Sequence, residues 1–151
     1  MECNISKIGK IIDEEIRFIC EKHLETPSLW IEGYSFTDEE VLDEITRFVN
    51  IFNKGKMVTF IATHNNKIIG FVWAEFVDND PEDSKIISLW VDPDYRNQGI
   101  ATKLKKKLEE NLKISGVKKL RTNVYAPNKQ MLDLNLKLGY RIIRYDMLKD
   151  L

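Results

Sequence analysis

Apolar residues recur along this chain at two different spacings, and these spacings predict the order of its helices and strands. Before residue 53 they lie three or four positions apart, which is the period of a helix with one buried face. Two such stripes predict two helices: Ile12, Ile16, Ile19 and His23, and then Val41, Ile45, Phe48 and Phe52. From residue 57 onward, short apolar blocks bounded by turn residues predict strands. His23 is interpreted as a packed or surface histidine rather than a catalyst.

The second predicted helix has a defined start. Thr37 precedes it and Glu40 follows three positions later, which is the capping box that satisfies free N–H groups at a helix N-terminus. A short opening strand is predicted over residues 4–8, before the first helix. The loop between the two helices, residues 27–36, contains three large or charged side chains: Trp30, Glu32 and Tyr34. This loop either forms a wall of a substrate pocket or packs its aromatic side chains on the core.

Three strands are predicted in the middle of the chain. Strands over residues 57–63 and 67–76 meet at a hairpin turn, residues 64–66, where two asparagines tolerate positive φ. An acidic turn at residues 78–83 then leads into an apolar strand over residues 86–91. The acidic turn is interpreted either as a solvated loop or as a negative collar that attracts cationic acceptors.

The last third of the chain alternates helix and strand. A helix is predicted over residues 100–115, a strand over 119–125, a helix over 128–138 and a closing strand over 140–148. The complete order is strand, two helices, three strands, helix, strand, helix, strand. It predicts an α+β fold with a mixed sheet of about six strands, flanked by about four helices.

Composition narrows the function. The 151 residues are predicted to form a single domain, 1–151, that buries roughly two-thirds of its unfolded surface. A formal charge of −1 argues against a nucleic-acid partner, because dedicated nucleic-acid binders usually have a basic excess. Cys3 and Cys20 lie far from any other cysteine or histidine at metal-ligand spacing, so we expect reduced thiols and no metal site. No apolar run reaches membrane-spanning length and no signal-peptide core is present, which predicts a soluble cytoplasmic protein without a membrane partner.

The most informative chemistry lies where the strand over residues 86–91 turns through a glycine into a helix. The connecting residues are Arg96, Asn97, Gln98, Gly99, Ile100 and Ala101. Such a turn aims free backbone N–H groups at one point, and the helix dipole adds partial positive charge, which suits a pyrophosphate. Gly99 permits close approach because it has no Cβ, while Arg96 and Lys103 add full charges. The lysines that follow are predicted to lie on the solvent side of the helix: Lys105, Lys106 and Lys107.

The order Arg-x-x-Gly-x-Ala after a strand and an acidic-Pro turn resembles the acetyl-coenzyme A loop of the GNAT N-acetyltransferase superfamily. A second segment resembles the superfamily pattern Asn-x-x-Ala-x-x-Leu-Tyr-x-Lys-x-Gly-Phe, with matches at Asn128, Leu134, Lys137 and Gly139. The resemblance covers essentially the whole chain and implies the GNAT fold, a mostly antiparallel sheet with splayed central strands. It also implies acetyl-CoA as co-substrate, held by Leu89, Trp90, Val91, Arg96, Asn97, Gln98, Gly99, Ile100, Ala101, Thr102, Asn128 and Asn135.

Two of these residues need separate comment. Asn128 begins a helix, so its amide serves as an N-cap, as a partner for pantetheine, or as both. Asn135 stands where the superfamily often has a tyrosine that is credited with protonating the departing thiolate. An amide cannot act as an acid at neutral pH, so that role does not transfer to this chain.

Attack of an amine on a thioester needs a neutral amine, a donor for the oxyanion and a proton for the thiolate. The resemblance implies that a backbone N–H near Leu89–Val91 polarises the carbonyl. The strand over residues 86–91 contains no carboxylate, so Glu75 on the neighbouring strand is the candidate base, unless it is only a surface charge. Tyr125, at the end of the other splayed strand, is the candidate acid, unless it only packs on the sheet.

These observations predict an acetyl-CoA-dependent N-acetyltransferase that transfers an acetyl group directly to a primary amine of a small molecule or peptide. The alternative is a non-catalytic acyl-CoA-binding sensor or scaffold domain, which Asn135 keeps open. A nucleotide-binding protein of another kind is disfavoured, because the loop lacks a Gly-Lys-Ser/Thr ending and the second glycine of the Rossmann spacing. The resemblance also leaves a homodimer open.

Overall fold

Five strands pair in chain order into one sheet, and helices cover both of its faces, in a computed structural model that describes residues 2–151. The strands are β1 Asn4–Lys7, β2 Met57–His64, β3 Lys67–Val77, β4 Asp80–Val91 and β5 Lys119–Arg121. The α-helices are α1 Asp13–Glu25, α2 Asp38–Asn53, α3 Ile100–Ile114 and α4 Lys129–Lys137, and two short 3-10 helices cover Thr26–Leu29 and Pro93–Tyr95. Neighbouring strands are antiparallel except β4 and β5, which are parallel. This confirms the predicted α+β class and mixed sheet.

Alternation along the strands divides the hydrophobic core into two layers. Successive residues of a strand point to opposite faces, so Val72 and Trp73 of β3 belong to different layers. Val72 packs in the layer that contains Leu104 of α3. Trp73 packs in the layer formed with α1 and α2, where Ile16 and Phe48 are fully buried. The helix that follows the glycine loop therefore lies on one face of the sheet, and the two N-terminal helices lie on the other.

Several local signals in the sequence form the structures they predict. The Thr37 hydroxyl accepts the N–H of Glu40 at 3.2 Å, and the Glu40 carboxylate accepts the N–H of Thr37 at 2.7 Å, which is the predicted capping box. Asn65 and Asn66 form the hairpin turn with φ values of 48° and 61°. Gly116 follows the end of α3 with a φ of 87°.

Three predictions about strands are wrong. The strand expected over residues 119–125 covers only β5, and the closing strand expected over 140–148 does not form, so residues 2–151 contain five strands instead of six. A closing strand needs a neighbour to pair with, and a three-residue β5 offers few ladder groups for it. β4 begins at Asp80 rather than at residue 86, because the turn before it contains only two residues and is made tight by Asn79, with a φ of 62°.

The structure also shows the state of the two cysteines and of His23. Cys3 and Cys20 are both free thiols. His23 packs its ring on Trp73 with a centroid separation of 4.9 Å, as expected for a packed histidine, and burial lowers its pKa. No helix within residues 2–151 combines the length and the apolar character needed to cross a membrane.

Candidate functional site

A gap opens in the sheet between β4 and β5. The two strands pair only at Asp83, Ser84 and Lys85 of β4, which face Lys119 to Arg121 of β5. β4 continues for six more residues, to Val91, without any pairing to β5, whereas its other edge stays paired with β3 as far as Val91. The edge of β4 that faces β5 therefore leaves backbone N–H and C=O groups free for a ligand. This is the splay that the resemblance implied.

An irregularity in β4 lies at the start of this free segment. Trp73 of β3 pairs with Ser88 and Ala74 pairs with Ile86, so Ile87 has no partner across the ladder. A bulge of this kind bends the strand and re-aims its backbone, and bulges are frequent beside active sites. The bend contributes to the separation of β4 from β5.

The N-terminus of α3 lies at the end of β4. Gly99 has a φ of 76° and Asn97 a φ of 59°, so the chain turns through two left-handed residues just before the helix. The N–H of Lys103 bonds the Gly99 carbonyl at 3.0 Å and is the first to close a helical turn. Within residues 2–151 no backbone hydrogen bond uses the N–H groups of Asn97, Gln98 or Gly99. A Cβ placed on Gly99 would meet nothing within 4 Å, so space for a ligand exists beside these free donors.

The start of α3 differs from the starts of the two helices that side chains cap. Thr37 caps α2, and Asn128 caps α4 by accepting the N–H of Met131 at 3.2 Å. α3 has no side-chain cap and no acidic residue in its first turn. Its partial positive charge is therefore not neutralised by the helix's own residues, which favours an anion such as a pyrophosphate.

Close packing holds this helix end on the sheet. A Cβ on Gly70 of β3 would lie 3.1 Å from the Trp90 carbonyl oxygen and 3.3 Å from side-chain atoms of Ile100 and Leu104. Only a glycine leaves room for α3 to approach β3 and β4 this closely. Arg96 ties the loop to the strand end, because its Nε donates to the Val91 carbonyl at 3.0 Å.

The structure brings the predicted loop residues together at one end of the gap. Arg96, Asn97, Gln98 and Gly99 are exposed, Ala101 and Thr102 are half-buried, and Ile100 is buried as the anchor of the helix. Leu89, Trp90 and Val91 are half-buried on the free segment of β4. The Trp90 ring stacks on Phe71 at 5.9 Å on the α1 and α2 face, so the free edge beside it is backbone.

The second predicted segment reaches the same loop. Gln130 of α4 donates from its Nε2 to Oδ1 of Asn97 at 2.7 Å, which joins α4 to the glycine loop. Sequence reasoning missed Gln130, since only its position two residues into the Asn128 motif could have indicated it. The Asn128 side chain is confirmed as a helix cap. Asn135 is 3% exposed, and its Oδ1 has no hydrogen-bond partner within the described residues, so it can accept a bond from a ligand N–H.

Glu75, the candidate base, lies in an ion-pair cluster. Its two carboxylate oxygens accept bonds from Nη2 of Arg47 at 2.8 and 2.7 Å, and Nε1 of Trp73 donates to Oε1 at 3.0 Å. Glu75 is the partner of Lys85 across the sheet, at the end of β4 that pairs with β5. Sequence reasoning did not foresee Arg47, because the pair joins residues 28 positions apart.

Tyr125, the candidate acid, lies four residues beyond the end of β5 instead of ending a strand. It is 41% exposed, and its ring stacks on Trp30 from the loop between α1 and α2, at a centroid separation of 6.4 Å and an interplanar angle of 21°. Tyr34 from the same loop lies close enough to Glu40 and Tyr125 for their charges to affect its ionisation. Desolvation raises the pKa of Tyr34, and these two neighbours raise it further.

Lys105 is not on the solvent side of α3, as the sequence predicted. Its side chain is buried, with Nζ 4.4 Å from the centroid of the Tyr140 ring. The Tyr140 hydroxyl donates to Oε1 of Glu109 at 3.2 Å. Burial lowers the pKa of Lys105 to about 8, although the Glu109 carboxylate acts in the opposite direction. The prediction is wrong because the ring that covers Lys105 belongs to Tyr140, which is distant in the sequence.

Other parts of the molecule are weaker candidates for a functional site. Two surface hollows of about 340 and 320 Å³ lie away from the gap and share Gly55, Phe76 and Ser115 in their walls. No group of three or more histidine, cysteine, aspartate or glutamate side chains able to hold a metal ion occurs among residues 2–151. The gap beside the α3 N-terminus is therefore the better candidate site.

Known proteins share the family and the fold of this chain. A model of the acetyltransferase (GNAT) family matches residues 19–140. Among curated proteins, no sequence matches this chain.

Three solved structures illustrate the shared fold. A candidate acetyl transferase from Pyrococcus furiosus is 23% identical, with a TM-score of 0.75 over 99% of this chain and 100% of that one. A predicted acetyltransferase from Clostridium acetobutylicum, solved with acetyl-CoA, is 19% identical, with a TM-score of 0.76 over 99% and 96%. An aminoglycoside acetyltransferase from an uncultured soil metagenomic sample, solved with sisomicin, is 18% identical, with a TM-score of 0.68 over 97% of both chains. At these identities the likeness concerns the fold.

Proposed function

This chain belongs to the GNAT acetyltransferase family, and from that premise we propose that residues 1–151 form one domain that transfers an acetyl group from acetyl-CoA to a primary amine of a small molecule or peptide. The open N-terminus of α3 beside the free edge of β4 is the observation that carries this proposal. A relative of the same fold was solved with acetyl-CoA, and another acts on aminoglycosides, which are small-molecule amines. The cytoplasmic location and the homodimer stay predictions.

The coenzyme would be held by backbone more than by side chains. Its pyrophosphate fits the free N–H groups of residues 97–99 and of the first turn of α3, together with the Arg96 charge. Its pantetheine amides fit the unpaired edge of Leu89–Val91. Asn135 Oδ1, which has no hydrogen-bond partner within residues 2–151, is a further candidate acceptor for the coenzyme.

The coenzyme supplies a thioester whose acetyl carbon is open to attack by an amine. The protein must provide a donor for the oxyanion, a base for the amine and a proton for the thiolate. Backbone N–H groups on the free edge of β4 are the proposed oxyanion donors. Tyr125 is the proposed acid, since its phenol hydroxyl can donate a proton to a thiolate.

Glu75 is the proposed base, although its contacts with Arg47 and Trp73 make a structural role equally consistent with the geometry. Replacement of Glu75 by Gln removes the charge and keeps the shape. If Glu75 is the base, kcat falls at neutral pH and recovers as the pH rises and more of the free amine is neutral. If Glu75 only anchors Arg47, the variant loses stability while kcat per folded molecule is unchanged.

Calorimetric titration with acetyl-CoA tests the coenzyme site directly. The wild type is expected to bind, and Gly99→Trp is expected to lose binding by more than about 100-fold, because the indole fills the open space at the loop. The matched control is Gly116→Trp. Gly116 also has a positive φ, and a Cβ placed there would meet nothing within 4 Å, but this residue lies beyond the other end of α3. Absence of binding by the wild type would refute the proposed coenzyme site.

A non-catalytic acyl-CoA sensor is the second candidate, favoured by Asn135 at the position where the family often has tyrosine. Thiol release from acetyl-CoA, measured with a panel of amines, separates the two. Release that depends on an added amine supports the transferase. Tight acetyl-CoA binding without release from any amine supports the sensor.

A further inference from the structure

An aromatic pair stands on the side of the gap opposite the free segment of β4. Trp30 comes from the loop between α1 and α2, and Tyr125 comes from the segment between β5 and α4. Their rings are stacked at 6.4 Å with an interplanar angle of 21°. Two segments that are distant in the sequence therefore meet through their ring faces, and Tyr125 is still 41% exposed.

The position of Tyr125 places this pair at the gap. The last residue of β5 that pairs with β4 is Arg121, which faces Lys85. β4 and β5 are parallel, so the chain that leaves β5 toward Tyr125 departs on the side of the gap opposite the free segment of β4.

The chain segments that contain the helices of the two sheet faces carry opposite charge. Residues 13–53, which contain α1, the loop and α2, hold eleven Asp and Glu against three Arg and Lys. Residues 96–121, which contain the glycine loop, α3 and β5, hold nine Arg and Lys against two Glu. The three basic residues of the first group are already paired, Arg17 with Glu21, Lys22 with Glu25 and Arg47 with Glu44 and Glu75.

Part of the negative charge lies at the start of the helix that follows the Trp30 loop. Asp38, Glu39 and Asp43 occupy the start of α2, immediately after the loop that carries Trp30, and all three are exposed. None of them forms an ion pair within residues 2–151. An anionic acceptor would be repelled here, whereas a cation is attracted both by carboxylates and by the faces of aromatic rings.

We propose that the Trp30–Tyr125 pair and the acidic start of α2 form the acceptor site, and that the acceptor is an aliphatic amine with a second positive charge. This inference rests on the proposed function and specifies its substrate class. The second cation binds to the rings and carboxylates while the reacting amine, in its neutral form, faces the thioester. The amine nitrogen forms a bond to the acetyl carbon and the carbon–sulfur bond breaks. The thiolate takes up one proton and the nitrogen loses one, which leaves an amide and free coenzyme A.

The first arm of the test uses the wild type with diaminobutane, butylamine and β-alanine, an amine that carries a carboxylate. The expected kcat/KM for diaminobutane is about tenfold above that of butylamine, with β-alanine the slowest, because only the diamine retains a cation after its reacting nitrogen is deprotonated. The preference for the diamine should decrease with added salt. Equal kcat/KM for diaminobutane and butylamine would overturn the proposal.

The second arm uses variants of the aromatic pair. Trp30→Ala is expected to raise KM for diaminobutane about tenfold and to leave acetyl-CoA binding unchanged, whereas Trp30→Phe keeps a ring and recovers most of the loss. Tyr125→Phe keeps the stack, so it should leave KM near the wild-type value even if kcat falls. An unchanged KM in Trp30→Ala would contradict the assignment.

The third arm tests the charges with a matched pair of double variants. Asp38→Asn with Glu39→Gln removes two charges from the start of α2, which the Trp30 loop leads into, and Glu14→Gln with Glu15→Gln removes two charges from the end of α1 away from that loop. The first is expected to raise KM for diaminobutane about threefold or more, and the second to leave it unchanged. An equal rise in KM in both double variants would contradict the acceptor site, because it would mean that only the overall negative charge of the protein matters.

Direct binding separates this proposal from the proposed function. Diaminobutane is titrated into wild type and Trp30→Ala, each with and without coenzyme A. Binding that Trp30→Ala weakens supports the acceptor site even if no amine is acetylated. Failure of acetyl-CoA to bind would instead refute the proposed coenzyme site, and failure of diaminobutane to bind a protein that does bind acetyl-CoA would refute only the acceptor site.

Discussion

The two sides of the gap are built in different ways. The proposed coenzyme side is one continuous stretch of chain, from the end of β4 through the glycine loop into α3, and its key groups are backbone N–H donors. The proposed acceptor side joins Trp30 to Tyr125, and its key groups are side chains that meet only in the folded protein. The coenzyme side should therefore tolerate changes of side chain that leave the backbone in place, whereas the acceptor side should be sensitive to single side chains.

The largest expected effect concerns Lys105 of α3, which should control how stability depends on pH without affecting coenzyme binding. The pKa of Lys105 is lowered to about 8, below the value of about 10.5 for a free lysine, so between these pH values the unfolded chain binds the proton more strongly. The free energy of unfolding should therefore rise with pH across this window, by up to about 3 kcal/mol. Above about pH 10 the raised pKa of Tyr140, which burial and Glu109 cause, works in the opposite direction.

Urea unfolding at a series of pH values measures this slope in the wild type and in Lys105→Met. The variant should lose the rise while its affinity for acetyl-CoA stays within about twofold, because backbone groups form the proposed cradle. Lys106→Met is the matched control, since Lys106 is exposed on the same helix. A rise that persists in Lys105→Met would show that another group titrates.

A change that moves the backbone of the coenzyme side should affect both properties. The side chain in Gly70→Val would meet the Trp90 carbonyl at 3.1 Å and two side chains of α3 at 3.3 Å. Overpacking of this kind is expected to cost about 2 kcal/mol of stability and to weaken acetyl-CoA binding as α3 shifts. Gly9→Val serves as the control, because a Cβ at Gly9 meets nothing within 4 Å. If Gly70→Val is destabilised but binds the coenzyme normally, the seating of α3 on the sheet does not matter for the cradle.

The smallest expected effects come from the side-chain caps of α2 and α4. Thr37→Ala and Asn128→Ala each remove a side-chain cap and should each cost about 1 kcal/mol in urea unfolding. Only Asn128→Ala is expected to weaken acetyl-CoA binding. Asn128→Asp keeps the cap but adds a negative charge near the anionic coenzyme, so it should retain stability and still lose affinity. Normal affinity in Asn128→Asp would assign Asn128 to capping alone.

Local patterns predicted local structure well. The capping box at Thr37, the asparagine turn at residues 65–66 and the glycine ending of α3 all form as the sequence indicates, because each depends on residues within four positions of one another. Two of the wrong predictions concern contacts between distant residues. Residues 140–148 form no strand, because a strand exists only where another strand pairs with it, and Lys105 is buried because Tyr140 packs on it. The early start of β4 is different, because it depends on the adjacent turn at Asn79.

The glycine loop could be predicted from the sequence alone, because an apolar strand, an acidic turn, a glycine and a helix pattern follow one another along the chain. The extent of the gap between β4 and β5, the burial of Lys105 against Tyr140, the Arg47–Glu75 ion pair and the Trp30–Tyr125 stack became visible only in the folded structure. The physical reason is that backbone conformation follows from neighbouring residues, whereas contacts between distant side chains depend on how whole elements pack. In this protein the proposed coenzyme is bound by the first kind of structure, and the proposed acceptor by the second.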